Sequence, residues 1–511
     1  MSRSATLAVL ATLASAALIR LAFPPFDLGP LILVGWVPLL WAVRRVGVRP
    51  ALLLGLGHGC VLGLAAHPWI VGAITSHSEL AGWQAVLALA AISALCGLRS
   101  ALVVAAVAFG VRRGLPLVLA FPIFTACAEL LVPGFFPWTN ALAAHSIPSW
   151  SQAAAWGGAT LVSAWLSATN ALVTVALERW QRERRLRLAA EPVAAAAGLA
   201  LLATLLGAWA VRAETARAAA APRVRLALVH AVSSGSQQPE LVPALRALTL
   251  AHERDHGPAD LVLWPEGVSP LPVPRALLSE TARRYWLRDR LQPPSAPQLQ
   301  SRLLLGVSLE TADGLSNSAV LIDRGGRVAG VYSKRHLVPL GETGLLPEGW
   351  SSGALGEGVT SYRPGSEDAP LELDGHALAA SICFEDIFSQ AVRDEVARVD
   401  AELLVNLSSD RWFSGTSAVD FHLALAKLRA VEHRKYLARV SLDGVSALVD
   451  SAGRVVTEAR GAPSRVIEVE AALLPGLTPY ARWAPIERVV WLLAGALLLA
   501  SAARRPLSGT R

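Results

Sequence analysis

The stretch His376-Ala377-Leu378-Ala379-Ala380-Ser381-Ile382-Cys383-Phe384-Glu385-Asp386 reads as a short apolar strand that stops on a thiol and two carboxylates. Two runs upstream end in a similar way. Ala259–Trp264 delivers Pro265-Glu266-Gly267, and Arg327–Tyr332 delivers Ser333-Lys334-Arg335-His336-Leu337-Val338-Pro339. A carboxylate, an ammonium and a thiol, in that order and each at the end of a strand-like run, make a covalent acyl-transfer site.

Around these three runs the pattern is of strands alternating with helices. Further strand-like runs are Arg223–His230, Arg302–Leu309, Asn317–Ile322, Ala401–Leu407, Leu437–Leu442 and Ser446–Asp450. Helical periodicity appears at about 241–254, 275–289, 388–398 and 417–435. Asp313-Gly314 and Gly325-Gly326 read as hairpin turns. Strand–turn–strand units with charged residues at strand ends predict a layered α/β sandwich.

The sandwich accounts for only part of the 511 residues. The chain is 53% hydrophobic and 17% charged, below the roughly 25% charge of a soluble domain. The apolar excess sits in residues 1–211 and 485–503, whereas 212–484 has ordinary globular composition. The expected organisation is an N-terminal membrane domain over 1–211, a catalytic domain over 212–484, and a closing helix with a tail over 485–511. Candidate spans lie at about 5–23, 29–43, 51–70, 84–111, 115–131, 152–177, 188–211 and 485–503. The second is short, and the fourth is long with Arg99 in its middle; splitting it would leave pieces too short to cross, so one tilted helix is expected.

The net charge of +7 is informative through its placement. Arginines follow the second, fourth, sixth and eighth spans, whereas the loops 24–28, 71–83 and 132–151 hold no Lys or Arg. By the positive-inside rule both termini are cytoplasmic and 212–484 lies outside. The basic balance is then topology, and no nucleic-acid partner is implied. Cys60, Cys96 and Cys127 fall in spans as small buried hydrophobes. Cys383 stands alone in the exported domain, where it has no disulfide partner and is either buried or kept for its reactivity.

The chemistry asks for three roles. Cys383 is the candidate nucleophile, and a carboxylate near it takes the thiol proton as sulfur attacks an ester or amide carbonyl. Glu266 is the candidate base and Lys334 the fixed positive charge for thiolate and oxyanion. Each alone is ordinary: a strand-end Glu or Lys is usually an ion-pair residue, and a Cys after an apolar strand is usually core. Neither a phosphate-cradling glycine loop nor zinc spacing is signalled, so neither cofactor nor metal is expected.

With these motifs the sequence resembles the nitrilase superfamily, whose members use a Glu-Lys-Cys triad on an α-β-β-α sandwich. Set between seven N-terminal spans and one C-terminal span, the chain is similar over nearly its whole length to the apolipoprotein N-acyltransferases. The resemblance includes Phe23-Pro24-Pro25-Phe26-Asp27, Gly134-Phe135-Phe136-Pro137-Trp138, the run Lys334 to Glu342, Cys383-Phe384-Glu385, and Asn406 to Phe413. It implies Glu266 as base, Lys334 as oxyanion stabiliser and Cys383 as nucleophile. Glu342 and Glu385 are implied as carboxylates that orient Lys334 or help move protons, with ion pairs that simply hold the lysine as the plain alternative. Trp412 and Asn317 match family positions on the substrate side, Phe384 is assigned to that side although tyrosine is common there, and Phe413 is read as packing.

The implied reaction is ping-pong. Cys383 takes an acyl chain from a phospholipid, typically phosphatidylethanolamine, and the thioester passes it to the N-terminal amine of a diacylglyceryl-cysteine lipoprotein. Both substrates keep their acyl chains in the membrane, and loops around 343–362 or 408–418 are placed to cover the entry. Two departures bear on the second step. Val229-His230-Ala231-Val232 replaces a usual Val-Gln-x-Asn, and Leu442-Asp443-Gly444 a usual Asn-Asn-Gly. The rival readings are a membrane-tethered carbon-nitrogen hydrolase or N-acyltransferase for another amine, and a catalytically idle lipoprotein-binding module.

Other polar residues read as structural. Glu129 in the fifth span is expected to be hydrogen-bonded, and His58 in the third to make a helix–helix contact. His422, Arg429, Glu432 and Arg434 read as a solvated or ion-paired helix face.

Overall fold

The structure is a computed structural model that describes residues 3–77, 80–132, 134, 136, 139–183, 186–233, 241–269, 272–274, 298–311, 314–338, 342–343, 361–365 and 370–506. It divides into two units: residues 1–72, 81–212 and 482–511, and residues 73–80 and 213–481.

Among the described residues of the chain, six helices are long and apolar enough to cross a membrane. They are Arg3–Ala22, Val48–Ala66, Gly82–Val111, Ala154–Glu183, Leu186–Ala219 and Pro479–Ala503, the last qualifying from Pro485. The segment expected as a second span is instead a 3-10 turn, Gly29–Leu33, followed by a helix, Val37–Val43. Pro30 and Pro38 explain the break, because each fits the first turn of a helix and neither donates a backbone hydrogen bond inside one. The segment around Arg99 stays one helix over Gly82–Val111. The 154–183 helix kinks at Gly157 and Gly158, where Gly158 has φ +61°.

Small residues let helices 48–66 and 82–111 approach closely. A Cβ on Gly59 would lie 2.2 Å from the Cys96 carbonyl oxygen, so only glycine fits there. His58 beside it makes the helix–helix contact expected of it, reaching Ser15 at 3.2 Å on one side and Ser100 at 3.3 Å on the other. Glu129 accepts the Asn140 backbone N–H at 3.1 Å and lies 3.8 Å from Arg99.

The second unit is built on two sheets. The first contains β1 (Arg223–His230), β2 (Leu261–Leu263), β3 (Val273–Pro274), β4 (Arg302–Thr311), β5 (Gly314–Ile322) and β6 (Val328–Ser333). The second contains β7 (Leu371–Leu373), β8 (His376–Ile382), β9 (Leu403–Ser409), β10 (Leu437–Leu442), β11 (Val445–Val449) and β12 (Val455–Arg460). The last strand, β13 (Arg465–Ala472), returns to the edge of the first sheet beside β1. Strand order is β13-β1-β2-β4-β5-β6 in the first sheet and β12-β11-β10-β9-β8-β7 in the second, with β3 beside β4.

Alternation along each strand builds three apolar layers. On β1, Leu226 and Leu228 face the layer between the sheets, where they share a cluster with Leu378, Ala380, Leu403 and Val405. Ala227 and Val229 face the other way, into a cluster with Val242 and Leu245 of the helix Leu241–His256. On the far side of the second sheet, Leu404, Leu437 and Ala447 cluster with residues of the helices Ser389–Val399 and Ala418–His433. The second unit is thus a helix–sheet–sheet–helix sandwich, and the long apolar helices belong to the first unit. The helical pattern expected at 275–289 lies outside the described residues.

Candidate active site

The chain brings Glu266, Lys334 and Cys383 together because β2, β6 and β8 each end at the same edge of the sandwich. Past β2, Trp264 donates to the Leu304 carbonyl, and Gly306 donates to that of Pro265 at 3.1 Å. A Cβ on Gly306 would meet the Glu266 Cα at 2.5 Å, so β4 can run this close to the Glu266 turn only with glycine there. Across the sheets, the Glu266 N–H reaches the Ser408 carbonyl at 3.4 Å.

Lys334 is buried, and its ammonium lies 2.9 Å from Glu342 and 3.7 Å from Glu266. The Asn317 side-chain amide lies between the carboxylates, donating to Glu266 Oε1 at 2.6 Å and to Glu342 Oε1 at 2.9 Å. Glu342 is fixed further by the Val338 N–H at 2.8 Å. Burial alone would lower the Lys334 ammonium, but the charges of Glu266 and Glu342 outweigh it and hold the group above its ordinary value. Burial raises Glu266, with the Lys334 charge working against the rise and the Glu342 charge adding to it.

Cys383 takes φ +48° where β8 gives way to the 3-10 turn Cys383–Ile387. A non-glycine residue in this region costs about 1–3 kcal/mol and is held by its surroundings. The Asn406 side chain donates to the Cys383 carbonyl at 3.3 Å. The thiol is 3.7 Å from the Ser409 carbonyl, and its interaction with Glu266 helps to hold that carboxylate down. Burial pushes the thiol well above its usual value, Glu266 and Asp410 add to the rise, and Lys334 opposes it. A neutral thiol facing a basic carboxylate is suited to give up its proton only as sulfur attacks.

Glu385 ties the Lys334 and Cys383 segments together. Its carboxylate accepts the N–H of Ile382 at 2.8 Å, of Arg335 at 2.8 Å and of His336 at 3.0 Å, and the Tyr332 hydroxyl at 3.0 Å. Burial raises its pKa, while Lys334 and these backbone donors pull it back.

Behind Cys383 lies a buried charge network that local sequence does not announce. Arg439 donates to Asp386 at 2.5 Å, to Asn406 at 2.7 Å, and to Asp410 at 3.1 Å. His422 spans Asp386 at 2.8 Å and Asp410 at 2.9 Å. The one hint was an arginine in the middle of the apolar run Leu437–Leu442, because a buried charge needs a partner. The helix face of His422, Arg429, Glu432 and Arg434 is therefore buried, and the solvated reading of it is wrong. Its ion pairing is present: Arg429 lies 3.2 Å from Glu432.

The aromatic candidates divide. Trp412 is 42% exposed in the turn Arg411–Phe413, whereas Phe384 is buried edge-on against Phe388. Phe413 packs against the outer helical layer, as expected. Both departures from the family pattern are satisfied internally. His230 reaches Ser446 and the Gly461 carbonyl, each at 3.0 Å, and Asp443 accepts from the Ser233 N–H and hydroxyl. Of the proposed covers, 344–360 lies outside the described residues, as do Pro339, Leu340, Gly341 and most of the Gly134–Trp138 motif.

Two sheets flanked by helices, with a carboxylate, an ammonium and a thiol at one edge, define a protein of the nitrilase class. Residues 225–473 match the carbon-nitrogen hydrolase family, and residues 15–172 match the apolipoprotein N-acyltransferase N-terminal domain. The chain belongs to the apolipoprotein N-acyltransferase family. It is 30% identical to the apolipoprotein N-acyltransferase of Azotobacter vinelandii, over 98% of this chain and 96% of that one. It is 29% identical to the one of Geobacter metallireducens, over 96% and 94%. Among solved structures, an amidase from Nesterenkonia sp. is 21% identical, covering 52% of this chain and 96% of its own with a TM-score of 0.36.

Proposed function

We propose that this chain moves an acyl chain from a membrane phospholipid, through a thioester on Cys383, to the N-terminal amine of a diacylglyceryl-cysteine lipoprotein. The observation that carries the reading is the cluster itself: Lys334 lies 3.7 Å from Glu266, and both charges act on the Cys383 thiol. Membership in a family named for apolipoprotein N-acylation supports the acceptor.

In the first half-reaction Glu266 takes the thiol proton as sulfur attacks the ester carbonyl, and Lys334 stabilises the oxyanion. Collapse breaks the ester C–O bond, and Glu266 returns the proton to the departing lysophospholipid oxygen. In the second half the lipoprotein amine attacks the thioester, Glu266 accepts a proton from the amine, and the thiolate leaves and is reprotonated. Glu342 and Asn317 orient Lys334 and Glu266, Glu385 spaces the segments, and Trp412 and Phe384 are assigned to the substrate side. The residues named supply each step, and phosphatidylethanolamine is the proposed donor.

The proposed boundaries are a membrane domain over 1–211, a catalytic domain over 212–484 and a closing helix over 485–511. The arginines at 44, 45, 49, 112, 113, 179, 182, 504 and 505 support cytoplasmic placement of those helix ends, and the proposed location is a bacterial inner membrane with the catalytic domain on its periplasmic side.

The test is to incubate the purified protein with phosphatidylethanolamine and weigh it intact. An acyl adduct that needs Cys383, is lost in Glu266→Ala and passes to an added diacylated lipopeptide is expected. An adduct that never transfers would point to another amine acceptor, and no adduct with any phospholipid would sink the thioester.

A further inference from the structure

We infer a second site, for a zinc-class divalent metal ion, formed by His252 and His256 on the helix Leu241–His256 together with Glu468 on the edge strand β13. The ligand atoms of these three residues lie within 4.8 Å of one another. The two histidines are four residues apart, which puts both rings on one helical face; they stack at 4.6 Å between centroids.

Each ligand is prepared in a different way. His252 is 8% exposed, yet its Nε2 has no hydrogen-bond partner; it lies at ion-pair distance from Glu468 Oε2, 3.4 Å, without a hydrogen bond to it. A buried ring nitrogen left in this way is costly unless something takes its lone pair. Two ligand atoms about 2.1 Å from one tetrahedral ion stand roughly 3.4 Å apart, so the N···O gap has the span that a shared metal ion requires. His256 places Nδ1 3.3 Å from the His252 carbonyl. A proton on Nδ1 leaves the Nε2 lone pair outward, the tautomer that metal-bound imidazoles take when the other nitrogen bonds a carbonyl. Glu468 is held through Oε1 by Arg225 at 2.9 Å, which leaves Oε2 toward His252.

The surroundings add one favourable and one unfavourable charge. His256 is the last residue of its 16-residue helix, where the carbonyl ends carry partial negative charge that favours a cation. The Arg225 guanidinium opposes it, which sets the affinity below that of a four-ligand closed site. Two imidazoles and a carboxylate leave the fourth position to water. No thiol takes part, so binding does not depend on redox state.

The ion would staple the outer helix to the sheet edge. That helix also supports the active-site end of β2, because Thr249 accepts the Trp264 indole N–H at 3.1 Å, two residues before Glu266. The role is structural and separate from the acyl-transfer cluster. The third ligand is on a strand near the far end of the domain, so only the fold brings the three together.

The test uses the full chain in detergent, stripped with chelator and titrated with Co2+. One saturable equivalent with tetrahedral visible bands, displaced by Zn2+, is expected. His256→Gln alters an exposed side chain and should weaken binding about tenfold or more, as should Glu468→Gln, while His376→Gln at the separate Glu402 pair should leave it unchanged. Zn2+ should raise the melting temperature of the parent chain but not of His256→Gln. Absence of saturable Co2+ binding, or bands that survive both His256→Gln and Glu468→Gln, would overturn the site.

Discussion

The Asn317 amide stands 2.6 Å from Glu266 Oε1 and bonds Glu342 with its other hydrogen, so one neutral side chain sets the distance between two carboxylates that share an ammonium. Removing it leaves the two buried carboxylates to Lys334 and, for Glu342, the Val338 N–H. Asn317→Ala is expected to slow acylation of Cys383 by about ten- to a hundredfold, the value of one or two hydrogen bonds to charged groups. Asn317→Asp should slow it further by adding a third carboxylate. Rapid-quench mass measurement of the thioester reads both, and a near-parental rate in the alanine variant would count against the assignment.

Acidification tests Glu266 directly. Burial raises its pKa above the ordinary glutamate value of about 4.3, so the basic form is present above the raised value and is lost as pH falls through it. Acylation should therefore fall off on the acid side at a pH clearly higher than an ordinary glutamate would give. An acid limb at or below the ordinary value would show that another group accepts the proton.

Arg439 tests the network behind the nucleophile. It is fully buried and bonds Asp386 and Asp410, so Arg439→Met leaves two buried carboxylates with His422 as their one remaining cationic partner. A loss of about 3–5 kcal/mol in unfolding free energy is expected, visible as a lower midpoint in denaturant. A loss below about 1 kcal/mol would mean that the charges are not paired as described.

His422 gives the network a pH signature. Burial and Arg439 lower its pKa, but Asp386 and Asp410 outweigh them and raise it to about 9. A folded-state value above the unfolded one of about 6.5 adds stability that is fully present below pH 6.5 and lost as pH rises through about 9. The unfolding free energy should therefore decline across that window by on the order of 3 kcal/mol in total, and His422→Gln should flatten the decline. A parental curve that is already flat would contradict the raised value.

Strands in the interior of each sheet were legible because they are largely buried on both faces. Arg223–His230, His376–Ile382 and Leu437–Leu442 read from apolar runs with the bounds that the structure gives them. β12 and β13 did not read as strands. They lie at sheet edges, where Glu458, Glu468 and Glu470 face outward and break the apolar signal. The helix Ala418–His433 was found, but its charged residues read as surface. Their partners Asp386, Asp410 and Ser389 are remote in sequence, and only folding brings them near. Glu266, Lys334 and Cys383 were legible because each follows a strand end. Arg439 was hidden inside a strand, where the apolar pattern draws attention away from a single charge.

Glu385 belongs to the turn that carries Cys383, yet it grips the two backbone amides that follow Lys334. The proposed nucleophile and its proposed electrostatic partner stand on different sheets, and sheets in a sandwich can slide as their filling changes. One carboxylate acts here as a spacer of fixed length across that gap. The apolar filling between the sheets is therefore free to change shape without detuning the thiol against the ammonium, whereas shortening that one side chain by a methylene would do so at once.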